Sequence, residues 1–268
     1  KYAFLNTKLN SLKTQLEGEF HYDYMMKALY ATDASVYREL PLAVALPKNI
    51  HDIKLLIDFA QENKISLIPR AAGTSLAGQC VGKGIVVDIS KYFNQILEIN
   101  TNENWVRVQP GVVRDELNVF LAAYGMFFGP NTSTANRCMI GGMVGNNSSG
   151  STSIVYGSTR DHVLEMKTIL SDGSEVVFNK QSVEEFKEKI NDNSLEGRLY
   201  QNIYNELSDE NINSEIKKNF PKKSVTRRNT GYAVDALLNS NMFLKAGKDF
   251  NFCELLSGSE GTLAFTTE

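Results

Sequence analysis

Between two short apolar segments the sequence reads Arg70-Ala71-Ala72-Gly73-Thr74-Ser75-Leu76-Ala77-Gly78-Gln79. The flanking segments, residues 65–69 and 84–88, have the length and composition of buried strands. A loop of small side chains between two strands lets successive backbone N–H groups converge on a phosphate, and Arg70 adds a positive charge beside it. The stretch therefore predicts a pyrophosphate-binding loop, with a tight turn between two core strands as the alternative.

Bulk composition narrows the class of protein. The chain has 268 residues, of which 42% are hydrophobic and 22% charged, as in a soluble globular protein of one large or two smaller domains. The net charge of −3 gives no reason to expect a nucleic-acid partner. Cys80, Cys138 and Cys253 form no Cys/His cluster, so no metal site is expected. Scattered cysteines suit a reducing compartment.

The sequence shows no targeting or membrane segment. No apolar run approaches the roughly 20 residues that span a bilayer, and the N-terminus does not read as a signal peptide. We therefore expect a cytoplasmic protein without a transmembrane segment. The first residue is Lys1, and the last residues read as a strand cut short, so we expect a fragment of a longer protein.

The first hundred residues predict strand–helix–strand units after a helical lead of about forty residues. Residues 42–46 form an apolar run, and Asn49 can cap a helix that runs to about Asn63. The next strand is residues 65–69, so a right-handed parallel crossover is expected. Later segments predict antiparallel structure, with a strand at 105–109, a helix over 112–124 and a hairpin around Asp172-Gly173. Residues 181–223 read as exposed helices.

These elements predict an α+β fold of two α/β subdomains, a small one with parallel strands and a larger, mostly antiparallel one. The predicted boundaries are 1–100 and 101–268. No G-x-G-x-x-G follows a strand and no G-x-x-x-x-G-K-[ST] occurs, so a Rossmann site and a P-loop are disfavoured. His162 is expected to open a strand in a structural role, with a general base as the alternative.

A second stretch, from Gly125 to Gly157, is dense in small polar residues. Its glycines allow a ligand to approach the backbone closely, and its amide and hydroxyl side chains offer donors and acceptors to a ribose, a phosphate or a ring edge. A folded loop without a ligand is the alternative. Two such loops in one chain favour a bound dinucleotide more strongly than either loop alone.

Taken together, these segments resemble the FAD-binding domain of the vanillyl-alcohol-oxidase type, also called PCMH-type. The resemblance is nearest to the glycolate oxidase and D-lactate dehydrogenase branch of FAD-linked oxidases. It covers nearly the whole chain and includes the loop at 70–79, Val108-Gln109-Pro110-Gly111, the loop at 141–150, Ser171-Asp172-Gly173 and Gly258-Ser259-Glu260-Gly261-Thr262-Leu263.

The resemblance implies which residues bind FAD. The pyrophosphate would lie against Arg70, Ala71, Ala72, Gly73, Thr74, Ser75, Gly78 and Gln79. The flavin, ribityl and adenosine portions would run along Pro130, Asn131, Thr132, Ser133, Gly141, Gly142, Gly145, Asn146, Ser148, Ser149 and Gly150. Glu260 and Gly261 would close the adenosine end. No histidine lies in either loop, so FAD is expected to bind non-covalently.

The resemblance also implies a reaction, the oxidation of a D-2-hydroxy acid such as D-lactate, glycolate or D-2-hydroxyglutarate to the 2-oxo acid. Similar segments near the flavin make Arg227, Arg228, Asn229 and Tyr232 candidate substrate or catalytic residues; the alternative is a solvated turn. Catalytic residues and a divalent metal would otherwise lie in a cap domain that this chain does not include, so the chain alone is expected to turn over poorly.

Similar large bacterial proteins carry iron–sulfur clusters, which implies a respiratory electron acceptor and a location at the inner membrane. Two other functions remain open. One is an NADPH-dependent reductase of the enolpyruvyl-sugar type, which shares the FAD fold. The other is a non-catalytic FAD-binding or electron-transfer module.

Overall fold

The computed structural model describes residues 2–222, 224–225, 227–228 and 231–268. Its helices are α1 Tyr2–Gln15, α2 Tyr24–Leu29, α3 Ile50–Asn63, α4 Arg114–Ala122, α5 Ile140–Gly145, α6 Ser153–Tyr156, α7 Val183–Ile190, α8 Leu195–Ser208, α9 Glu210–Asn219, α10 Val234–Leu238 and α11 Cys253–Leu256, with a 3₁₀ turn at Thr159–His162. Its strands are β1 Glu19–His21, β2 Ala43–Leu46, β3 Leu67–Arg70, β4 Ile85–Asp88, β5 Ile96–Asn100, β6 Trp105–Val108, β7 Met166–Ile169, β8 Glu175–Phe178 and β9 Phe265–Thr266.

The first sheet has four strands in the order β1-β2-β4-β3. Strands β2 and β3 both run parallel to β4, which lies between them. Every residue of β2 and β4 is buried, as expected for central strands with continuous apolar runs. Helix α3 packs on this sheet through Ile53 and Leu56. The α+β class and the parallel strands near the N-terminus are confirmed.

Strand β1 corrects the prediction of a helical lead over about the first forty residues. Glu19–His21 pairs antiparallel with β2, and Phe20 is buried in the core of the first sheet. The strand is three residues long and only its central side chain is apolar. Such a segment carries too little periodicity to be recognised before its partner is known.

A buried carboxylate ties this strand to helix α3. Asp52 is fully buried, and its oxygens accept the backbone N–H groups of Glu17 and Gly18 at 2.9 Å and of Lys48 at 2.8 Å. The Asn49 side chain accepts the N–H of Asp52 at 3.0 Å and caps the helix as predicted. The entry into α3 therefore satisfies its backbone donors with side chains of the protein itself.

The later part of the chain is antiparallel. Strands β5 and β6 form a two-stranded sheet, and β8, β7 and β9 form a three-stranded one. The predicted hairpin at residues 166–178 is confirmed, with Gly173 at φ 79° in its turn. The helices predicted over 181–223 are present as α7, α8 and α9. They are not merely exposed, because Phe186 and Tyr200 are fully buried against Phe250 and Phe252.

The hydrophobic cores do not follow the sequence order. The core of the first sheet contains Leu9, Phe20 and Ile53, together with Ile169 from β7 and Phe265 from β9. The hairpin β5–β6 spans residue 100 and packs with α4 through Leu117 and Leu121. The division at residue 100 stays a prediction. Within the part of the chain that is described, no helix is long and apolar enough to cross a membrane.

Candidate functional site

A cavity of about 680 Å³ opens where β3 ends, between the loop that follows β3 and helix α5. Most of its lining comes from three segments that are distant in sequence: residues 69–80, residues 132–149 and residues 256–266. The volume falls within the range of about 300–1,000 Å³ that is usual for small-molecule and cofactor sites. Ligands of parallel sheets commonly bind at the carboxyl ends of the strands, where this cavity lies.

The loop after β3 leaves its donors free. Between Ala71 and Cys80, no backbone N–H donates to another residue in the described ranges, although Gly73 and Gly78 accept through their carbonyls. Gly73 and Gly78 have φ values of 64° and 80°, so left-handed residues interrupt the loop as in an anion-binding nest. Unpaired N–H groups in a folded loop need water or a ligand. The loop can therefore receive an anionic group.

The opposite wall is helix α5, whose glycines lie close to Pro110, which follows β6, and to Ala71, which follows β3. A side chain at Gly141 would come within 2.4 Å of the Pro110 Cβ, and one at Gly142 within 3.3 Å of the Ala71 Cβ. Glycine at these positions lets the helix backbone form the wall of the cavity. The helix was not predicted, because four of the residues from 141 to 150 are glycines, and glycine disfavours helix formation.

The third wall is the turn at residues 258–261. The Glu260 N–H donates to the Gly145 carbonyl at 2.9 Å, and the Glu260 side chain accepts from the Gln79 amide at 3.1 Å. Glu260 has φ 58°, a conformation that costs a non-glycine residue free energy and is concentrated at functional sites. The side-chain amide oxygen of Gln79, Oε1, is buried without a partner among the described residues. That acceptor is available to a hydroxyl or amine donor.

The structure brings most of the predicted cofactor-binding residues to this one cavity. Its lining includes Arg70, Ala71, Ala72, Gly73, Thr74, Ser75, Gln79, Thr132, Ser133, Gly141, Gly142, Gly145, Asn146, Ser148, Ser149, Glu260 and Gly261. Two loops that are about sixty residues apart in sequence thus face each other across the cavity. Their role in binding remains a prediction.

Four predicted residues, Gly78, Pro130, Asn131 and Gly150, do not line the cavity. Gly78 packs under the Tyr37 ring, and Gly150 packs on the Asn131 carbonyl, where a side chain would come within 1.8 Å. The Pro130 carbonyl accepts from Arg114 Nε at 3.1 Å. The contacts of all four residues serve the packing of the loops.

The candidate catalytic residues separate into different environments. Arg227 lines the cavity, and its Nε donates to the Ser149 hydroxyl at 3.0 Å. Arg228 instead forms an ion pair with Asp235, and the Tyr232 hydroxyl bonds Thr262 Oγ1 at 2.5 Å. Asn229 lies outside the described residues. Of the candidates that the structure describes, Arg227 has the guanidinium best placed to meet a ligand.

The secondary structure predicted for His162 is wrong. The residue ends a 3₁₀ turn rather than opening a strand, because Ser158 and Asp161 form a reciprocal cap at its start. Its Nε2 lies 2.6 Å from the Tyr156 carbonyl, and its ring packs on Phe128. These contacts are structural, in agreement with the predicted role.

Several cavity residues were not predicted. Arg137 lines the wall, and its guanidinium contacts the Asn136 amide. Cys80 and Cys138 also line the cavity. Burial raises the pKa of the Cys80 thiol, against the opposing effect of Arg70, so the thiol is protonated near neutral pH. Leu256, Ala264 and Phe265 supply apolar surface. No local pattern marks these residues, since the fold brings them together from separate segments.

Arg160 is a buried cation behind the third wall. Its guanidinium donates to the Ser257 carbonyl at 2.5 Å and to the Gly231 carbonyl at 3.3 Å, while its N–H donates to Asn147. Desolvation by burial lowers the pKa of its guanidinium. Within the described part of the chain, no group of three or more His, Cys, Asp or Glu residues could hold a metal ion.

A large cleft at the carboxyl end of a parallel sheet, with free N–H groups on one wall and glycine backbone on the other, defines a nucleotide-cofactor-binding domain. The family model described as "FAD binding domain" matches residues 41–179, just over half of the chain. The chain therefore belongs to the FAD-binding domain family. The predicted resemblance to FAD-linked oxidases is confirmed.

Two curated relatives are similar over most of this chain. The D-2-hydroxyglutarate dehydrogenase of Escherichia coli is 39% identical over 94% of the chain and 24% of that protein. The mitochondrial D-lactate dehydrogenase (cytochrome) of Kluyveromyces lactis is 31% identical over 81% of the chain and 37% of that protein. The chain thus spans about a quarter to a third of the length of these relatives.

A solved structure supports the fold. Alkyldihydroxyacetonephosphate synthase superposes with a TM-score of 0.57 and 19% identity, over 64% of this chain and 38% of that chain.

The residues at the cavity also fit FAD. The loop at 71–80 offers uncommitted N–H groups, Gln79 has an unpaired buried oxygen, and the glycines of α5 leave room that a Cβ would fill.

Proposed function

We propose that this chain is the FAD-binding portion of a dehydrogenase that oxidises a D-2-hydroxy acid to the 2-oxo acid, with D-2-hydroxyglutarate as the first candidate and D-lactate and glycolate next. The observation that carries the proposal is the cavity whose 71–80 wall has free backbone donors, in a chain of the FAD-binding domain family. The relatives' own substrates, as their names give them, support the class of acid.

Each wall has a separate task in this proposal. The loop at 71–80 binds the FAD pyrophosphate, α5 and residues 132–133 line the flavin and ribityl portions, and Gln79 with Glu260 closes the adenosine end. When bound, FAD supplies the acceptor for a hydride from the substrate carbon. The apolar side chains of Leu256 and Phe265 help to exclude water from the cavity.

Arg227 is proposed to bind the substrate carboxylate. Its guanidinium reaches the cavity, forms no ion pair with any described acidic side chain and can bind a carboxylate through two nitrogens. Arg228 is bound to Asp235 and is proposed to support the segment. A base must also remove the proton of the substrate hydroxyl. We assign this role to none of the described cavity residues and propose that the base lies elsewhere in the whole protein.

FAD is proposed to bind non-covalently, since no histidine is among the described residues that line the cavity. The electron acceptor is proposed to be respiratory, and the protein to be cytoplasmic at the surface of the inner membrane. A divalent metal and iron–sulfur clusters would belong to other parts of the whole protein.

The test begins with the visible spectrum of the purified chain after addition of FAD and removal of the unbound cofactor. Retained oxidised-flavin bands are expected; a colourless protein that does not take up FAD would contradict the proposal. The whole protein in which the chain occurs is then mixed anaerobically with D-2-hydroxyglutarate, its L enantiomer, D-lactate, glycolate or NADPH. Bleaching by a D acid and not by the L enantiomer is expected.

Two outcomes would favour the alternatives. Rapid bleaching by NADPH, with none by the hydroxy acids, indicates a reductase of the enolpyruvyl-sugar type. Tight FAD binding without reduction by any of these compounds indicates a non-catalytic electron-transfer module. Arg227→Met in the whole protein should raise KM for the hydroxy acid about tenfold or more while FAD affinity stays unchanged.

A further inference from the structure

The Arg70 side chain at the end of β3 lies between the loop that it precedes and residues 30–34. Its Nη1 donates to the Thr32 carbonyl at 2.8 Å, and its guanidinium carbon lies 5.2 Å from the centre of the Tyr30 ring. A cation at this distance over an aromatic face is attracted to it. The guanidinium is therefore held by residues 30–34, which we name the lead segment.

The lead segment and the loop are joined at Gly73. A side chain added to Gly73 would come within 2.7 Å of Arg70 Nη2, so the guanidinium lies directly against the loop backbone. The Ala34 N–H also donates to the Gly73 carbonyl at 3.0 Å. At the far end of the segment, the Tyr30 hydroxyl donates to Asp88 at 2.7 Å, and Asp88 is the last residue of β4.

These contacts join the loop to neighbouring segments at Gly73. Its own N–H groups form no bonds to other described residues, so its shape depends on contacts made by its carbonyls and by neighbouring side chains. The Arg70 guanidinium and the Ala34 N–H both contact the loop at Gly73, where φ is 64°. The lead segment lies outside the matched family region, which begins at residue 41.

We propose that Arg70 is a positioning residue that holds the cofactor loop in shape through Gly73, and that the lead segment is a part of the FAD site. The interaction with phosphate then comes from the loop N–H groups, not from the Arg70 charge. This inference rests on the proposed function of the loop at 71–80.

The test is a double-mutant cycle on FAD affinity, measured by titration of flavin fluorescence with the chain. Arg70→Lys keeps the charge but loses the planar guanidinium, and Tyr30→Leu removes both the ring under the guanidinium and the hydroxyl that donates to Asp88. Each variant should weaken FAD binding about fivefold to tenfold, and the double variant little more than either alone. Tyr30→Phe, which keeps the ring, should restore most of the affinity that Tyr30→Leu loses.

A second measurement does not depend on FAD. Amide hydrogen exchange of residues 71–80 in the cofactor-free chain should be faster in Arg70→Lys and Tyr30→Leu than in the parent. Ala34→Pro removes the N–H that bonds Gly73 and should have the same effect with Arg70 intact. Arg38→Lys is the matched control, since this exposed arginine follows the lead segment and should change neither readout.

The outcomes separate the two claims. Normal FAD affinity in Arg70→Lys and Tyr30→Leu would overturn the inference. Weak binding in Arg70→Lys with no effect of Tyr30→Leu would also overturn it, because the guanidinium would then act on the cofactor without help from the lead segment. If the parent chain fails to bind FAD, the proposed function fails. Unchanged exchange of residues 71–80 in these variants would overturn the positioning role independently.

Discussion

Two clusters of backbone N–H groups near the first sheet differ in whether the protein supplies their acceptor. At the start of α3, three of them converge on Asp52, a carboxylate that the chain supplies, at 2.8–2.9 Å. In the loop at 71–80, a run of N–H groups has no acceptor among the described residues. Both places use the same chemistry of several amides around one anion. They differ in whether the anion is built into the sequence.

The comparison shows how a structural site and a ligand site can be told apart. Asp52 is fully buried and is enclosed by the donors that it satisfies. The loop faces a cavity of about 680 Å³, and no side chain of the described residues accepts a hydrogen bond from its backbone N–H groups. A cluster of N–H groups whose acceptor belongs to the protein stabilises the fold. A cluster without such an acceptor can instead stabilise a bound anionic ligand.

The largest effect is expected on the free energy of unfolding when Asp52, the anion that the chain supplies, is replaced. Asp52→Ala should lower the free energy of unfolding by about 3 kcal/mol or more, since each buried donor left unpaired costs about 1–3 kcal/mol. Urea unfolding measures it. Asp58→Ala, an exposed aspartate of the same helix, is the control and should change stability little. Equal effects of the two substitutions would show that the buried cluster has no special weight.

The next largest effect is expected on FAD affinity when the loop at 71–80 is changed. Gly73→Ala places a Cβ 2.7 Å from Arg70 at a residue with φ 64°, and should weaken FAD binding about tenfold. Gly125→Ala is a matched control, because Gly125 has φ 68° but no atom within 4 Å of the added Cβ. It should cost stability of about 1 kcal/mol and leave FAD affinity unchanged. Equal FAD affinity in the two variants would contradict the role given to the loop.

A smaller effect is expected at the cap beside Asp52. Asn49→Ala leaves the Asp52 N–H without its side-chain acceptor and should lower the free energy of unfolding by about 1 kcal/mol. Asn49→Ser, which can also cap, should stay close to the parent. If both variants unfold alike, the cap contributes nothing beyond its surroundings.

The smallest effect concerns a carboxylate at the edge of the same sheet. Hydrogen bonds from Lys91 and then from Tyr92 lower the pKa of Glu19 to about 2. The stabilisation is therefore complete above the ordinary pKa of a glutamate and is lost as pH falls toward 2. Because the side chain is one-third exposed, we expect less than about 1 kcal/mol. Urea midpoints between pH 2 and pH 6 should fall less in Glu19→Gln than in the parent.

Local pattern was sufficient for the strongly periodic elements. The helix after Asn49 was predictable because its cap, its first-turn acid and its apolar face all agree. The hairpin at 166–178 was predictable because Asp172-Gly173 demands a turn. The loop at 70–79 was recognisable because a run of small side chains between two strands is typical of backbone that approaches a ligand.

What escaped prediction depends on contacts between distant segments. Helix α5 forms despite its glycines because Pro110 and Ala71 pack against them. Arg160 reads as an ordinary charged residue, yet its partners Ser257 and Gly231 bury it. The direction of the Arg70 side chain is likewise set by Thr32, 38 residues away. Such positions are decided by tertiary structure and leave no trace in local periodicity.

Phe265 of β9 and Ile169 of β7 complete the core in which Leu9 and Phe20 lie. A ribosome that makes about 5–20 residues per second needs roughly 10 to 30 s to travel from residue 100 to residue 265. The first sheet lacks both of these core side chains until synthesis passes Ile169, and it lacks Phe265 until the end of that interval. Nascent chains of this protein should therefore depend on chaperones until synthesis passes β9.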